Sequence, residues 1–301
     1  MRLSIVFAAL FVLLFSFYGS GQAYASGAVP VDSARADAVS RFIDRSVTVF
    51  TLGKPLRMIL VAKDIQRLFV IEHDGDTPRV VVQFVCATGE NYGNKKIRGD
   101  EKTPEGVYFI TKVYTDRKVT VFGRRAFHLD YPNYFDQQDK KGGDGIFIHG
   151  TNRTLRSNST NGCVTLENHD LDQLAKYLAQ DSVPIIIVPH IAVGNNGNFS
   201  ITEALIGPVK AILLPNGVER ERVDFDTLYI VRAAGQSVAV SEYSDTDGSI
   251  GSNKMRGYSR SYLQYNPASG WVSVQWVWHP GSRVLQTARM TKAPPRRAIP
   301  N

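Results

Sequence analysis

The sequence predicts a mainly β fold, and two patterns support this prediction. Between residues 56 and 190, short β-favouring runs such as 57–62 and 67–72 alternate with turn signals rich in Gly, Asp and Pro. After residue 228, longer runs such as 271–278 alternate polar and apolar residues, which is the period of a half-buried strand. Helical periodicity is limited to the start of the chain and to a stretch after residue 168.

The first predicted element is an amphipathic helix over Ser33–Phe50, inside an N-terminal helical segment at residues 26–55. A strand begins at Leu56, and Thr103–Gly106 fits a type I turn with proline second and glycine fourth. The main helix follows Asn168, whose side chain is suited to an N-cap. Further strands are predicted at 67–72, 80–87, 107–114, 146–149 and 183–189.

The composition changes after the strand-rich region 56–190. A Gly/Asn-rich linker is predicted at 191–200, followed by a smaller β-rich C-terminal domain at 201–291 and a disordered tail at 292–301. We expect the C-terminal domain to position a substrate or a partner. Three of its residues are either core or a face that binds sugar or peptide: Trp271, Trp276 and Trp278.

The first 25 residues have the pattern of a secretory signal peptide. Arg2 gives a basic start, residues 5–18 form an apolar run too short to span a bilayer comfortably, and residues 23–25 read Ala-Tyr-Ala, a cleavage pattern. The formal net charge of +7 becomes +6 when Arg2 is removed with residues 1–25, which suits either an anionic cell-wall polymer or a solvated basic surface, and no nucleic-acid-binding motif occurs. We therefore expect a periplasmic or secreted, wall-associated protein with no stable membrane insertion after cleavage.

The chain has two cysteines, Cys86 and Cys163, which are too few for a disulfide scaffold. Cys86 lies in an apolar, strand-like run and is predicted to be a buried, inert thiol. A disulfide between the two stays open at this point, and it would disable Cys163 as a nucleophile.

Cys163 directly follows Gly162, and His149 ends an apolar run directly before Gly150. A thiol is a strong nucleophile only as thiolate, and an imidazole is the usual group that takes its proton at neutral pH. Three interpretations compete: a Cys/His pair for acyl transfer, a zinc site, and a coincidence of packing residues. Because no His-x-x-His or Cys-x-x-Cys pair supports zinc, neither a metal nor a cofactor is predicted.

The segments Ile148–Thr151 and Thr160–Val164 together resemble the signature of the L,D-transpeptidase catalytic domain, in which His-Gly is followed by Ser/Thr-x-Gly-Cys. Lys102–Gly106 resembles the Thr-Pro-x-Gly turn of that family, and Phe127–Asn133 resembles a Tyr-Pro-Asn segment of one branch. The resemblance covers about residues 56–190. It implies a β-sandwich catalytic domain with one main helix after the nucleophile.

The resemblance also implies a mechanism for acting on peptidoglycan. Cys163 attacks the L-centre carbonyl of the third stem-peptide residue and forms a thioester, while His149 takes the thiol proton. A backbone carbonyl near Gly150 and Thr151 is the expected partner of the second imidazole nitrogen, and N–H groups at Gly162 and Cys163 are expected to face the oxyanion. Four further residues are expected to contact substrate: His128, Tyr131, Asn133 and Thr160. Thr160 is also expected either to support its loop through its hydroxyl or to be an ordinary turn residue.

The chain departs from the common family pattern at Thr165, where many members carry arginine directly after Gly-Cys-Ile/Val. With Tyr131–Asn133, this resembles the branch that contains murein L,D-carboxypeptidases and the amidase that releases a wall-linked lipoprotein. Transfer to an amine, hydrolysis of the same acyl-enzyme, and a non-catalytic wall-binding role therefore stay open. The expected partners are peptidoglycan stem peptides and, for the amidase alternative, a wall-linked lipoprotein.

Overall fold

The computed structural model describes residues 30–52, 54–115, 122–178, 183–191, 223–245, 256–266, 270–280 and 287–288. The predicted signal peptide at 1–25, almost all of the predicted linker at 191–200 and the predicted tail at 292–301 lie outside these ranges. The helices are α1 (Ser33–Ser46), α2 (Tyr134–Gln138) and α3 (Asn168–Leu174). The strands are β1 (Val47–Leu52), β2 (Leu56–Ala62), β3 (Arg67–His73), β4 (Pro78–Val85), β5 (Gly106–Tyr108), β6 (Ile110–Thr115), β7 (Arg125–Leu129), β8 (Phe147–Thr151), β9 (Val164–Glu167), β10 (Ile185–Val188), β11 (Val223–Ala233), β12 (Gln236–Asp245), β13 (Arg256–Asn266), β14 (Gly270–Pro280) and β15 (Thr287–Ala288).

The described strands form three sheets, which confirms the prediction of a mainly β fold. The central sheet has the order β4-β3-β2-β10-β5, the β8–β9 sheet has the order β15-β6-β7-β8-β9, and the C-terminal sheet has the order β1-β11-β12-β13-β14. In the central sheet β2 and β10 pair in parallel, while β2, β3 and β4 form an antiparallel meander.

The central sheet is buried on both faces, which explains why its strands read as almost continuous apolar runs. Ile59 and Val61 pack with residues of the β8–β9 sheet and α3 in one core. Met58 and Leu60, which alternate with them on β2, pack with α1 and the C-terminal sheet in a second core. Because successive side chains of a strand point to opposite faces, one short strand supplies both cores.

The N-terminal helix is shorter than the sequence pattern predicts. α1 ends at Ser46, and residues 47–52 form β1, which pairs antiparallel with β11. The run Val-Thr-Val-Phe at 47–50 is β-branched and aromatic, and such residues favour a strand when an edge is available. The segment predicted as helical therefore contributes an edge strand to the C-terminal sheet.

The C-terminal sheet is fixed to the central sheet by polar contacts as well as by the second core. The side-chain oxygen of Gln236 accepts a hydrogen bond from the Val107 N–H at 2.8 Å, next to Gly106. Arg260 forms an ion pair with Asp130 at 3.0 Å, and the Tyr262 hydroxyl donates to the same carboxylate oxygen at 3.0 Å. These contacts join the two parts of the chain that the sequence assigns to separate domains.

Within the part of the chain that the structure describes, no helix is both long enough and apolar enough to cross a bilayer.

Asp130→Asn tests the contribution of the interface ion pair. The change leaves the guanidinium of Arg260, whose side chain is 10% exposed, without a charged partner. An uncompensated buried charge is expected to lower the free energy of unfolding by about 3 kcal/mol, measured by urea denaturation. The control is Asp144→Asn, whose partner Arg98 and own side chain are both exposed, and it should change stability by less than about 1 kcal/mol. If the two substitutions lowered the free energy of unfolding equally, the ion pair between Asp130 and Arg260 would not be a special contribution of the interface.

Candidate active site

The parallel pairing of β8 and β9 brings His149 close to Cys163. Ile148 pairs with Val164, and His149 pairs with Thr165. Ile148 and Val164 point into the core, so His149 and Thr165 point to the opposite face of the sheet, and Cys163 directly precedes β9. The strand pairing thus brings His149 next to Thr165 and to the turn at Cys163, although these residues are far apart along the chain.

Both nitrogens of the His149 ring have hydrogen-bond partners. Nδ1 lies 2.7 Å from the carbonyl oxygen of Gly150, which can only accept, so Nδ1 carries the proton. Nε2 lies 3.1 Å from the hydroxyl oxygen of Thr165 and is left with a lone pair. The ring of Phe122 packs edge-on against the imidazole with centroids 4.7 Å apart. The imidazole is therefore fixed in its tautomer and in its plane.

Cys163 is a free, half-buried thiol at the start of β9. Its Sγ lies 3.7 Å from the carbonyl oxygen of Gly145, a weak hydrogen bond in which the thiol donates. Cys86 is also free and lies in the core between the central sheet and the β8–β9 sheet, fully buried. Solvent and reagents can therefore reach the thiol of Cys163 but not that of Cys86.

Burial keeps both members of the pair neutral. It raises the pKa of Cys163 to about 11, against the weaker opposing effects of the Phe147 backbone and the Lys95 charge. It lowers the pKa of His149 to about 4, with the Gly150 carbonyl opposing. At pH 7 the pair is therefore thiol plus neutral imidazole, and not a thiolate–imidazolium pair.

A tight turn before Cys163 is held by the hydroxyl of Thr160. This oxygen accepts from the Gly162 N–H at 3.1 Å and donates to the Cys163 carbonyl at 2.7 Å. Gly162 has a φ of +123°, and a methyl group there would lie 2.6 Å from the Lys102 carbonyl oxygen. The Gly162 N–H is already bonded, so it does not face a substrate oxyanion as we expected. The Thr160 hydroxyl supports the loop, which is one of the roles expected for it, and its contact with substrate stays a prediction.

Of the two residues expected to orient the imidazole, Gly150 contacts it and Thr151 does not. The hydroxyl of Thr151 accepts from the Arg153 N–H and donates to the Arg153 carbonyl, closing a small surface turn. Gly150 also donates its N–H to the Phe122 carbonyl at 3.1 Å. The same glycine thereby holds the histidine and the loop residue that packs on it.

Tyr131 and Asn133 are buried structural residues, which corrects the expectation that they contact substrate. Each is 3% exposed. The Tyr131 hydroxyl donates to the Gly142 carbonyl, and Tyr131 precedes a cis proline. Asn133 caps α2 through the Asp136 N–H and donates to Gln236 of the C-terminal sheet. Since their polar atoms are used inside the protein, the motif Tyr131–Asn133 anchors the fold.

His128 lies on the same sheet face as His149, one strand away. Its ring packs against Phe147 with centroids 4.8 Å apart, and its Nδ1 lies 2.9 Å from the Thr111 hydroxyl. Burial lowers its pKa. Phe147 also contacts Phe122 and Tyr114. These aromatic rings form a continuous cluster that begins at the His149 imidazole. His128 is half-buried on this face, and its role in substrate binding stays a prediction.

The loop 89–105 packs next to the turn at Gly162 and is held by buried hydrogen bonds and ion pairs. The ammonium of Lys63 donates to the carbonyls of Gly93 and Thr103 and to the Glu105 carboxylate, at 2.7–2.9 Å. Further along the loop, Lys95 and Asp100 form a buried ion pair at 2.6 Å. Lys95 is the cation whose field lowers the pKa of Cys163, although burial outweighs it.

Sequence reasoning missed two residues of this site. Thr165 was singled out only as a departure from the family pattern, although its spacing of two from Cys163 on a strand puts both side chains on one face. Phe122 carries no sequence signal, because its contact with His149 depends on how its loop crosses β8. Among the described residues, no cluster of His, Cys, Asp and Glu has the arrangement of a metal site.

A half-buried thiol beside a fixed neutral imidazole, at the edge of a β-sandwich, is an arrangement suited to acyl transfer. Residues 57–187 match the family model YkuD, L,D-transpeptidase catalytic domain, which confirms the resemblance seen in the sequence. Over these residues the chain is therefore similar to the L,D-transpeptidase catalytic domain.

Individual relatives are distant. YafK of Escherichia coli (strain K12), provisionally named an L,D-transpeptidase, is 23% identical over 145 residues, or 46% of this chain and 55% of YafK. The chain thus spans about half the length of the curated relatives that it matches.

Bd1075 of Bdellovibrio bacteriovorus matches with a TM-score of 0.56 and 21% identity, over 78% of this chain and 100% of that structure. The helical cell shape determining protein Pgp2 of Campylobacter jejuni matches with a TM-score of 0.54 and 17% identity, over 77% of this chain and 94% of that structure. These likenesses show the fold.

The pH dependence of alkylation tests the neutral state of the thiol. With a pKa of about 11, the rate at which iodoacetamide modifies Cys163 should rise about tenfold per pH unit from pH 7 to 9, because the thiolate is the reacting form. Cys86, fully buried with a pKa raised to about 12, should stay unmodified in the folded protein. Cys163→Ala is the control, since it should abolish labelling. A rate independent of pH above 6 would instead indicate a thiolate–imidazolium pair.

Gly162→Ala tests the turn that presents the thiol. The added methyl group meets the Lys102 carbonyl and the backbone has a positive φ, so we expect a loss of about 1–3 kcal/mol in stability and at least tenfold slower alkylation of Cys163. Gly235→Ala is the matched control, because its φ is +79° but no atom lies within 4 Å of the added methyl. Gly235→Ala should reproduce the backbone strain without changing the rate at which Cys163 is alkylated. Similar alkylation rates for both variants would contradict a special role for the turn.

Proposed function

We propose that this protein is an exported cysteine acyltransferase that modifies peptidoglycan through a thioester on Cys163. The observation that carries the proposal is the β8–β9 register, which pairs His149 with Thr165, two residues after Cys163, in a region that matches the L,D-transpeptidase catalytic domain. The substrate carbonyl that we propose is the L-centre carbonyl of the third stem-peptide residue.

In the acylation step the sulfur of Cys163 bonds to this carbonyl carbon while its proton passes to Nε2 of His149. The carbon–nitrogen bond to the next residue then breaks, and the imidazolium returns the proton to the leaving amine. Because the resting pair is neutral, proton transfer and attack occur together, and no stored thiolate is needed. The Gly162 N–H is engaged by Thr160, so the Cys163 N–H is our candidate donor to the oxyanion.

The thioester has two possible fates. Attack by an amine breaks the carbon–sulfur bond and gives a new peptide bond, which is L,D-transpeptidation. Attack by water gives L,D-carboxypeptidase or amidase activity, including release of a wall-linked lipoprotein. Thr165 in place of the arginine carried by many family members favours hydrolysis as the second candidate, because a cation that could hold an anionic acceptor is missing there.

The proposed setting is the periplasm or the outer face of the cell, with peptidoglycan stem peptides as partners. The cleavage pattern at residues 23–25 and the net charge of +7 support this location. Pgp2, one of the structural neighbours, is named as a determinant of helical cell shape. We propose that this protein also acts on cell shape by trimming or linking stem peptides.

Mass spectrometry of products tests the function. Purified mature protein is incubated with disaccharide tetrapeptide, with and without a D-amino acid as amine acceptor. Exchanged or crosslinked products indicate an L,D-transpeptidase, and tripeptide with free D-alanine alone indicates an L,D-carboxypeptidase. Cys163→Ala should abolish either product without altering the circular dichroism spectrum. Turnover by Cys163→Ala would refute the mechanism, and no product from the wild type on tetrapeptide or on a lysine-linked muropeptide would favour a binding role.

The pH dependence of kcat/KM tests His149 as the base. Its pKa of about 4 lies below that of a free imidazole, so the neutral base persists as the pH falls and is lost only near pH 4. We expect kcat/KM to stay level from neutral pH to about pH 5 and then to fall about tenfold per unit below pH 4. His149→Ala should be slow and lack this limb, with folding checked at each pH. An acidic limb near pH 6.5 in the wild type would contradict the buried base.

A further inference from the structure

An exposed ion pair lies beside the nucleophile and takes no part in the proposed mechanism. Nη2 of Arg98 lies 3.1 Å from Oδ1 of Asp144, and the two side chains are 73% and 70% exposed. Exposed pairs of this kind contribute little to stability, so stability does not account for it. Among the described residues, neither of the two charged groups is bonded to a third residue.

The pair lies close to the thiol and to the sheet face that carries the base. Asp144 directly precedes Gly145, whose carbonyl oxygen lies 3.7 Å from Sγ of Cys163. The backbone between these groups limits the Asp144 carboxylate to within about 13 Å of the sulfur. Burial lowers the pKa of His128, and the charges of Asp130 and Asp144 oppose this effect. Since His128 lies on the same sheet face as the base, the field of Asp144 reaches that face.

The two loops that carry the pair are held by their own backbone contacts. Ahead of Arg98, the Lys96 N–H donates to the Asp100 carboxylate at 2.7 Å. The Gly142 N–H donates to the Lys96 carbonyl at 2.8 Å and joins the two loops. The exposed charges of Arg98 and Asp144 are therefore not needed to hold the loops together, and they project from a fixed backbone.

Two opposite charges side by side suit a ligand that also carries both. A guanidinium donates several N–H groups to a carboxylate, and a carboxylate accepts from an ammonium. A purely anionic ligand would be repelled by Asp144, and a purely cationic one would be repelled by Arg98. A group with an ammonium and a carboxylate on one carbon can pair with both residues without separating them.

We propose that Arg98 and Asp144 recognise the side chain of the third stem-peptide residue when that side chain ends in both an ammonium and a carboxylate. Arg98 binds the carboxylate, and Asp144 binds the ammonium. A side chain of three methylene groups carries its end groups about 8 Å from the carbonyl carbon, and a hydrogen bond adds about 3 Å. The pair is therefore within reach of a residue whose carbonyl carbon is bonded to Cys163.

The inference deepens the proposed function and rests on it for turnover. It predicts that the protein selects diaminopimelate as the third residue over lysine, because lysine has the ammonium but lacks the carboxylate.

Two substrates and two variants separate the charges. The substrates are disaccharide tetrapeptides with diaminopimelate or lysine as the third residue. Arg98→Gln should lower kcat/KM about tenfold on the diaminopimelate substrate, mainly through KM, because a hydrogen bond between charged groups is lost. It should not lower kcat/KM on the lysine substrate. Asp144→Asn should lower kcat/KM about tenfold on both substrates, since both carry the ammonium.

Arg79→Gln is the matched control, because Arg79 is 69% exposed and forms an ion pair with Glu72 at 2.8 Å on the central sheet. It should leave kcat/KM within about twofold on both substrates. Melting temperatures are measured first, so that only folded variants are compared. If Arg98→Gln impairs both substrates equally, the pair is a loop contact and the proposal is wrong. A wild type without preference for diaminopimelate would overturn it as well.

Binding to Cys163→Ala separates this inference from the proposed function. Isothermal titration calorimetry with the same two muropeptides needs no turnover. Cys163→Ala should bind the diaminopimelate muropeptide about tenfold more tightly than the lysine one, and adding Arg98→Gln should remove this preference. If the wild type turns over neither substrate while the preference is present and depends on Arg98, the proposed function fails and the recognition site stands. Equal binding of the two muropeptides, or no binding of either, overturns the recognition site whatever the turnover.

Discussion

The register between β8 and β9 is the constraint on which the candidate site depends. A slip of β8 by one residue would turn His149 into the core and bring Ile148 to the surface, and a slip of β9 would do the same to Thr165 and Val164, because side chains alternate along a strand. The apolar residues between the functional ones make that slip very unfavourable. The core of the sandwich therefore sets the position of His149 at the sheet face and of the turn that precedes β9.

Burial then decides the chemical state of the pair. A solvent-exposed imidazole would be partly protonated near neutral pH, and an ion pair would give a standing thiolate. Here burial moves the pKa of His149 down and that of Cys163 up, and no described charge reverses either shift. The resting site is neutral, with each group bonded to the backbone or to a hydroxyl: Gly145 for the thiol, Gly150 and Thr165 for the imidazole.

The C-terminal sheet contacts the segment that follows β7, next to the strand that carries His149. The segment Tyr131–Asn133 follows β7, the strand next to β8, and its polar atoms bond to α2, the central sheet and Gln236. Asp130, at the end of β7, pairs with Arg260 and Tyr262 of β13. Through these contacts the C-terminal sheet stabilises the segment after β7, which is the strand paired with β8. Changes at this interface are expected to reach the site through β7.

The sequence by itself determined the mainly β class, the strand leading to His149, the turn that ends at Cys163 and the inert character of Cys86, because periodicity, glycine and residue chemistry are local properties. It misplaced the end of α1, and it assigned Asn168 to a cap although its side-chain oxygen accepts from the Arg124 N–H. Only the tertiary structure decided that Tyr131 and Asn133 are buried and that Thr165 contacts His149. These outcomes depend on which surfaces and strands meet across the fold, and no local pattern encodes that information.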